Sequence, residues 1–474
     1  MKLKITILFL FAVKLLSAQS VMLLSKDSLK TLSEKQVMEI VKQFHPVAKQ
    51  ADINIEKAKA DITTARGMFD PLLSTKISNK TFDGTEYYNH FQPELVIPTW
   101  YGIEINAGLE NVSGSRTDPQ ETLGRTSFAG ITVPLAKNLL MDKRRAALQQ
   151  AKIFKQLSEV ERKTILNDLL LDAMKTYWQW VKEYRVMKVM SDAVKVNEKR
   201  FELVKVAFSQ GDRPAIDTLE ALAQLQNFKL MLNESLLNFQ NTGLELSVFL
   251  WNKNAEPITL PVSVVPDDAW KKISITELSL PLLDDLVNTA KTNHPDLLQY
   301  NFKLDVLDVE KKLKLQNLLP SVNFRYNQLG KGYDIIKNTA APLFENNYQY
   351  GISFGIPLRL SEGRGEYKKA KLKIQETTLQ RSQKTVSIEN KVRTYYNELL
   401  TLRSQVALQQ QQYNNYLVLQ RGEETKFFNG ESSLFLVNNR ENKALEALQK
   451  LAELETKYFK TLNSLYWAGG LLFN

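Results

Sequence analysis

The sequence predicts an α+β fold that is mostly helical, built from two copies of a unit that contains a long helical hairpin and a few strands. Two stretches, Leu135 to Gln210 and Glu366 to Arg421, contain neither Gly nor Pro, which predicts two very long helices. Segments that alternate apolar and polar residues precede each stretch, which predicts strands. The same ordered motifs occur in both halves, which indicates an internal duplication.

The composition excludes several classes of protein. The chain has 474 residues, of which 43% are hydrophobic and 24% charged, so it can bury a core and is not disordered. The formal net charge is +10, but the basic residues are spread along helices, so no nucleic-acid partner is predicted. The absence of cysteine excludes disulfides, thiol catalysis, cysteine-bound metals and a lipid attached to an N-terminal cysteine.

Residues 1–18 have the pattern of a secretory signal peptide. Lys2 and Lys4 precede an apolar run from Ile5 to Val13, and the small residue Ala18 marks the predicted cleavage position. The apolar run is too short to span a bilayer, so a membrane anchor is not expected. A buried N-terminal helix is the alternative interpretation.

The duplication predicts the domain boundaries. His45-Pro46 and His294-Pro295 each mark the start of a helix, and a further proline follows each at the same spacing. The order continues with KTYWQWV and RTYYNEL, FSQG and FFNG, and FLW and LYW. We therefore predict a first repeat over 19–251, a linker or equatorial segment over 252–282, and a second repeat over 283–474.

The second long helix has the pattern of a coiled coil. Its seam recurs at steps of four and three: Ile388, Val392, Tyr395, Leu399, Leu402, Val406, Gln409, Tyr413 and Tyr416. A helix of about 60 to 70 residues would reach roughly 90–105 Å. A helix that long needs others packed along it, and the polar lower part of the seam predicts looser packing there.

The strand candidates number about four to six. In the second repeat SVNFRYN places Phe324 on an apolar face, and YQYGISFGIPL does the same for Tyr350, Ile352, Phe354 and Ile356. In the first repeat WYGIEINAGL and SFAGITVPL alternate less regularly, and PLLSTKIS is a weaker candidate. The apolar residues named here are the predicted lipid-facing positions.

One chain has too few strands to close a membrane barrel, which needs at least about eight. An open sheet cannot face lipid, because its edges would leave backbone groups unpaired. If the apolar faces meet lipid, several copies must therefore share one barrel. The alternative is a half-buried sheet in a soluble domain; the signal peptide and the long helices favour the shared barrel.

Each helical hairpin is predicted to turn at a glycine. Gly211 and Gly430 are expected to take the left-handed conformation that ends a helix. Asp212 is the expected N-cap of the following helix in the first hairpin, and Ser432 or Ser433 in the second. Capping alone is a sufficient role for the two glycines and Asp212.

In the order of these motifs the chain resembles the TolC-like outer-membrane efflux proteins, the outer-membrane factor family. The resemblance rests on the duplicated His-Pro helix starts, on ITVPL and FGIPL before the long helices, and above all on the hairpin FSQGDRPAIDTLEA. It covers nearly all of the chain, from about Leu32 to Phe473. It implies a homotrimer whose helices form an α-barrel across the periplasm. It also implies that each chain gives about four strands to a shared transmembrane β-barrel of twelve strands, which lies in the outer membrane of a Gram-negative bacterium.

The resemblance also implies a role and partners. The trimer would be a passive exit duct of a tripartite efflux pump or a type I secretion system, embedded in outer-membrane lipid. An inner-membrane transporter supplies the energy, and a periplasmic adaptor joins it to the helical tips, with Gly211, Asp212, Gly430 and Glu431 as the expected contacts. No cofactor, metal or catalytic residue is expected.

A constriction is implied where the tips converge. Asp217 and Glu220 lie on about the same helical face after the first tip, and Leu436 and Asn439 are their equivalents after the second. We expect the acidic pair to favour cations and the second tip to gate by apolar contact. Two solvated helix carboxylates are the alternative interpretation.

Asp70 to Arg125 is long for one hairpin, so extra strands or loops are expected there, and residues 80–124 have no assigned role. His45 and His294 predict capping or packing rather than a metal site.

A periplasmic coiled-coil adaptor or scaffold is the alternative function, although adaptors usually have a single hairpin. A secreted enzyme fits poorly, because no catalytic set is recognisable.

Overall fold

The computed structural model describes residues 31–118, 121–268, 275 and 277–473. The predicted signal peptide therefore lies outside the described residues. The chain is mostly helical and contains one large antiparallel sheet, as the sequence predicts at this coarse level. Among the described helices, none combines the length and the apolar composition that a membrane crossing requires.

The two halves repeat one order of elements. The first half contains β1 (Thr31–Leu32), α1 (Glu34–Phe44), α2 (Pro46–Gly67), β2 (Leu72–Phe82), β3 (Thr85–Pro98), β4 (Glu104–Ser113), β5 (Gly124–Pro134), α3 (Lys143–Ser209) and α4 (Ala215–Ser247). The second contains β6 (Val265–Pro266), α5 (Leu283–Asn293), α6 (Pro295–Gln316), β7 (Ser321–Lys331), α7 (Ile335–Thr339), β8 (Tyr348–Gly355), α8 (Ser361–Phe428) and α9 (Leu434–Ala468). Each half thus has two helices, strands, a long helix and a returning helix.

Histidine begins the second helix of each half. The Nδ1 atom of His45 accepts the backbone N–H of Val47 at 3.2 Å, and Nδ1 of His294 accepts that of Asp296 at 3.1 Å. A proline occupies the first helical turn after each histidine, where its missing N–H removes one of the unpaired donors. Each neutral imidazole therefore takes the N-cap role usual for Asn or Asp.

The long helices differ from the sequence-based bounds at their ends. Helix α3 has 67 residues and α8 has 68, so each is about 100 Å long. The prediction that the first begins near Leu135 is wrong, because Asp142 caps it by accepting the N–H of Arg145 at 2.9 Å. Helix α8 also continues through Gly422, since one interior glycine costs only about 1 kcal/mol.

A glycine at the start of α8 has a packing reason. A Cβ atom on Gly363 would lie 2.7 Å from the carbonyl oxygen of Asn317, at the end of α6. The missing side chain therefore lets the long helix lie directly on the preceding helix.

The coiled-coil seam predicted in α8 is present. Ile388, Val392, Leu399, Leu402 and Val406 are all buried. The lower part is more open, as its polar residues predict: there Gln409 donates a side-chain bond to the carbonyl of Ala447 in α9 at 3.0 Å. Helix α8 is therefore less buried beyond Val406, whereas one side of the returning helix α9 stays buried as far as Leu434 at the tip.

One aromatic core joins the two halves. The rings of Trp178 in α3 and Phe459 in α9 stack with centroids 4.1 Å apart. Glu34 at the start of α1 accepts hydrogen bonds from Trp178 Nε1 at 3.0 Å and from Asn463 Nδ2 at 2.9 Å. Strands β1 and β6 pair in parallel beside it, so the predicted linker is tied to this core rather than extended.

The large sheet contains six strands in the order β2-β3-β4-β5-β7-β8, all antiparallel. The weak candidate after Asp70 forms the first part of β2, which continues to Phe82, and the long segment up to Arg125 contains all of β2, β3 and β4. Extra strands are therefore present where the sequence suggested extra strands or loops. Strand β8 ends at Gly355, so the prediction that Ile356 belongs to it is wrong; the chain there turns toward α8.

We predict that the cap made by His294 is sensitive to pH. Burial, with the ammonium groups of Lys384 and Lys391, lowers the pKa of His294 to about 4, against the opposing carboxylate of Asp296. Because the folded pKa lies below the ordinary value, this contribution to stability is complete above about pH 6.5 and is lost as the pH falls toward 4.

His294→Asn retains a cap acceptor without titrating, whereas His294→Ala removes the acceptor and should cost about 1 kcal/mol or more at neutral pH. Thermal unfolding in detergent at pH 7.5 and 5 measures both effects. An unchanged pH dependence in His294→Asn would contradict the assignment.

Candidate functional site

The two hairpin tips have the same backbone geometry. Gly211 and Gly430 have φ values of +82° and +80°, in the left-handed region. In the first tip the amides of Gly211 and Asp212 donate to carbonyls at the end of α3, at 3.0 and 2.9 Å. In the second, Gly430 and Glu431 donate to α8 at 3.1 and 2.8 Å. The glycines thus end the long helices as predicted, and the residue after each is exposed.

The returning helices begin differently. In the second tip Ser433 is the N-cap, and its Oγ accepts the N–H of Leu436 at 3.4 Å. In the first tip Pro214 occupies the N-cap position and makes no side-chain bond. The prediction that Asp212 caps this helix is therefore wrong: the chain needs two more residues to complete the turn, which leaves this carboxylate in solvent.

Arg213 joins the two tips, a role that the sequence analysis did not identify. Its guanidinium donates to the carbonyl oxygen of Phe427 at 2.5 Å and lies 4.0 Å from the centroid of that ring. Asp217 lies 3.9 Å from the same guanidinium. Below this contact the tips share a small apolar cluster, formed by Val204, Ala221, Phe427, Leu434 and Val437. The tips of one chain are therefore held together rather than independent.

The acidic pair lies at the junction of the tips. Oε1 of Glu220 accepts a bond from Asn438 Nδ2 at 3.4 Å, which the sequence analysis also missed. Burial raises the pKa of Glu220 and the Asp217 carboxylate adds to this, against the bond from Asn438. Leu436, by contrast, is exposed.

Asn439 is exposed as well, so neither of the positions expected at the second tip is used within the chain. Their side chains are free to contact another molecule or another copy.

A buried ionic network lies above the tips. Arg200 in α3 reaches Glu441 in α9 at 2.6 Å and Glu424 in α8 at 3.2 Å. Asn197 donates to the same Glu441 at 3.1 Å, and the Glu441 residue is only 4% exposed. Three helices are thus joined at the guanidinium of Arg200, and removing either Arg200 or Glu441 would leave a buried charge uncompensated.

Four of the five predicted lipid-facing residues share one face of the sheet, and Ile356 lies just beyond its last strand. Phe324 in β7 pairs with Ile352 in β8, and Val322 pairs with Phe354. Side chains directly opposite in a ladder lie on the same face. Tyr350, Ile352 and Phe354 are 59%, 64% and 70% exposed. The structure therefore places them on a bare apolar surface.

The other face of the sheet is concave. Arg325 in β7 forms an ion pair with Glu94 in β3 at 3.1 Å, although β4 and β5 lie between these strands. Strands in a sheet are about 4.8 Å apart, so these side chains meet across three strand spacings. They reach each other because the sheet curves around this polar face.

This architecture is similar to that of known outer-membrane proteins. Residues 286–471 match the family described as outer membrane efflux protein. No curated protein matches the chain.

Three similar solved structures are outer-membrane proteins. The CmeC outer membrane channel of Campylobacter jejuni is 16% identical, with a TM-score of 0.61 over 93% of this chain and 86% of that one. VceC of Vibrio cholerae is 14% identical, with a TM-score of 0.61 over 93% and 97%. The open state of the MtrE channel of Neisseria gonorrhoeae is 14% identical, with a TM-score of 0.63 over 93% and 89%. At these identities the matches show the fold, and with the family match they confirm the predicted resemblance.

We predict that Arg213 controls how firmly the tips hold together. Arg213→Ala removes the bond to the Phe427 carbonyl and the ring contact, so the second tip should open more readily. A loss of about 1 kcal/mol corresponds to roughly fivefold faster amide exchange in residues 425–437. Hydrogen exchange followed by mass spectrometry measures this rate.

Arg213→Lys is the matched control for the loss of Arg213. It keeps the positive charge near Asp217 but cannot make the same planar contact with the ring, so it should give an intermediate rate. Equal exchange in all three proteins would show that Arg213 does not hold the tips.

Proposed function

We propose that this chain, a TolC-like outer-membrane efflux protein, is the exit duct of a tripartite efflux pump or a type I secretion system. The observation that supports this most directly is that one chain contains both a sheet suited to a membrane and very long helical hairpins. An antiparallel sheet with one exposed apolar face is continuous with helical hairpins about 100 Å long. The sheet suits a membrane and the hairpins suit a compartment beside it.

The proposed location follows from these two features. The sheet lies in the outer membrane of a Gram-negative bacterium, and the hairpins extend into the periplasm. Three copies form the duct, because one open sheet would leave unpaired backbone in lipid. For the two repeats we propose the boundaries predicted from the sequence, 19–251 and 283–474, with 252–282 as the segment between them.

The tips are the proposed contact with a periplasmic adaptor. Asp212 and Glu431 extend into solvent beside the two glycine turns and are available to a partner. An inner-membrane transporter supplies the energy, and the duct itself is passive. Outer membrane efflux proteins are transport conduits rather than enzymes.

The alternative of a periplasmic adaptor or scaffold is not favoured. Such a protein has no need of a six-stranded sheet with large apolar side chains exposed on one face. The second half of the chain also matches the efflux-protein family over most of its length.

Membrane fractionation and native mass test the proposal. The processed chain should sediment with the outer membrane, require detergent for extraction and migrate as a trimer. Proteoliposomes or planar bilayers should then show channels. A processed chain that stays monomeric and soluble without detergent would overturn the proposal.

We predict that the acidic pair favours cations at the inner end of the duct. The double variant Asp217→Ala with Glu220→Ala should reduce the ratio of cation to anion permeability in single-channel recordings. Because burial raises the pKa of Glu220, part of this selectivity should be lost at a higher pH than an ordinary glutamate would give.

Glu453→Ala, at an exposed carboxylate farther along α9, is the matched control and should leave the ratio unchanged. Selectivity that persists in the double variant would assign Asp217 and Glu220 to the solvated surface instead.

A further inference from the structure

We propose that each chain inserts all six strands of its sheet into the outer membrane, so that three copies close a barrel of eighteen strands. In this ring β8 of one copy pairs with β2 of the next. The inference rests on the proposed function, which supplies the trimer and the membrane. It replaces the barrel of about twelve strands that the family resemblance implies.

The first argument is that the apolar face is continuous across the sheet. Residues that pair directly between neighbouring strands form one row across β3, β4, β5, β7 and β8. The row contains Ile97, Ile105, Ile131, Tyr326 and Tyr350. The outermost strand joins it through the pair Leu73 and Leu95, since Leu95 lies two positions from Ile97 on the same face of β3. Every strand therefore contributes apolar side chains to the same side, although Tyr326 itself is covered by Phe344, with ring centroids 4.6 Å apart.

The second argument is the exposure of the extra hairpin. In the single chain Leu73 and Ile77 of β2 are 72% and 70% exposed, as bare as Ile352 and Phe354 at the opposite edge. A soluble accessory hairpin would be expected to cover such residues or to carry polar ones. Their exposure is stable only in an apolar surrounding such as lipid.

The third argument is that β2 and β3 also continue the polar lining. Lys76 pairs with Gln92, and Ser74 pairs with Glu94, on the face opposite to Leu73. Glu94 reaches Arg325 across the concave side.

The ring of His90 lies between two carboxylates on this same polar side, 2.9 Å from Glu110 and 3.3 Å from Glu121. The side that faces into the curved sheet is thus charged in β3 as well as in β7, as expected for the lumen of a water-filled barrel.

The fourth argument concerns the sheet edges. Strand β2 begins just after α2 and runs away from the helices, whereas β8 runs back toward α8, so the two edges are antiparallel. The edges contain 11 and 8 residues, and neither strand contains proline. Strand β2 contains Lys76 and Lys80, and its register shifts between Lys80 and Thr81, so the regular part of this edge ends at Lys80. The β8 edge of one copy fits that regular part of the β2 edge of the next.

A barrel with four strands per chain would need a different edge. The hairpin β2–β3 would have to leave the sheet, and β4 would become the pairing strand. Yet β4 pairs with β3 from Glu104 at one end to Ser113 at the other. Breaking this ladder would expose its backbone groups in lipid, which costs several kcal/mol for each unpaired group.

The consequence is a wider exit. Barrel diameter rises roughly linearly with strand number, so eighteen strands give a ring about 1.5 times as wide as twelve. Barrels of about 16 to 18 strands contain an aqueous channel. The membrane part would then admit bulkier cargo, and the helical tips alone would limit passage.

Cysteine crosslinking distinguishes the two edges, and the chain offers a clean background because it has no cysteine. Thr75→Cys on β2 is combined in turn with Tyr350→Cys, Ile352→Cys or Phe354→Cys on β8, which covers three registers. The matched control series places Ile105→Cys on β4 with the same three partners. All of these positions lie on the apolar face.

Under oxidation the Thr75 series should give chains linked in pairs and threes that separate on reduction, and the Ile105 series should give none. Crosslinks through Ile105→Cys, or none in either series from chains that extract as trimers, would overturn the eighteen-strand ring. Electron cryomicroscopy of the unmodified trimer gives a second readout, in which twelve strands would also overturn it.

The proposed function fails separately from this inference. Fractionation of the unmodified chain decides whether it reaches the outer membrane as a trimer. A trimer in the membrane with a β4 edge would preserve the exit duct and remove only the six-strand contribution.

Discussion

Backbone hydrogen bonding at the edges of the sheet is the constraint on which the rest of the structure depends. Six strands satisfy each other internally, but β2 and β8 leave a row of N–H and C=O groups on each side. In water these groups bind solvent, whereas in lipid only another strand can satisfy them. In the membrane location proposed above, the sheet is a fragment of a closed ring, and further copies are needed to complete it.

The duplicated architecture explains how one chain holds such a fragment in position. The strands of the sheet arise from both halves, and β5 of the first half pairs with β7 of the second. Beneath them, the stack of Trp178 on Phe459 and the shared bonds to Glu34 join α1, α3 and α9. The halves are thus locked at the base of the sheet, so the long hairpins extend from one rigid platform.

The contacts of α8 become more polar along the hairpins toward their tips. The seam of α8 is buried near the platform but becomes polar at Gln409. Nearer the tips the contacts are the network of Arg200, the small apolar cluster that includes Leu434, and the link made by Arg213. The link made by Arg213 is only partly buried, so it can be exchanged for a contact with a partner at little net cost. The packed apolar seam and the buried pair of Arg200 and Glu441 cannot be exchanged in this way. The tips are therefore suited to change their contacts while the platform keeps its shape.

The sequence by itself determined the helices, the heptad seam and the duplication, because period, glycine and proline positions act locally. It also predicted the apolar face of β7 and β8, where the alternation is regular. Tertiary structure decided that β2 extends beyond PLLSTKIS to Phe82, that Pro214 rather than Asp212 takes the N-cap position of α4, and that Arg213 and Asn438 connect the tips. These features depend on pairing and contacts between residues distant in the chain, and a local pattern carries no information about which distant partner will satisfy a strand edge or a charged side chain.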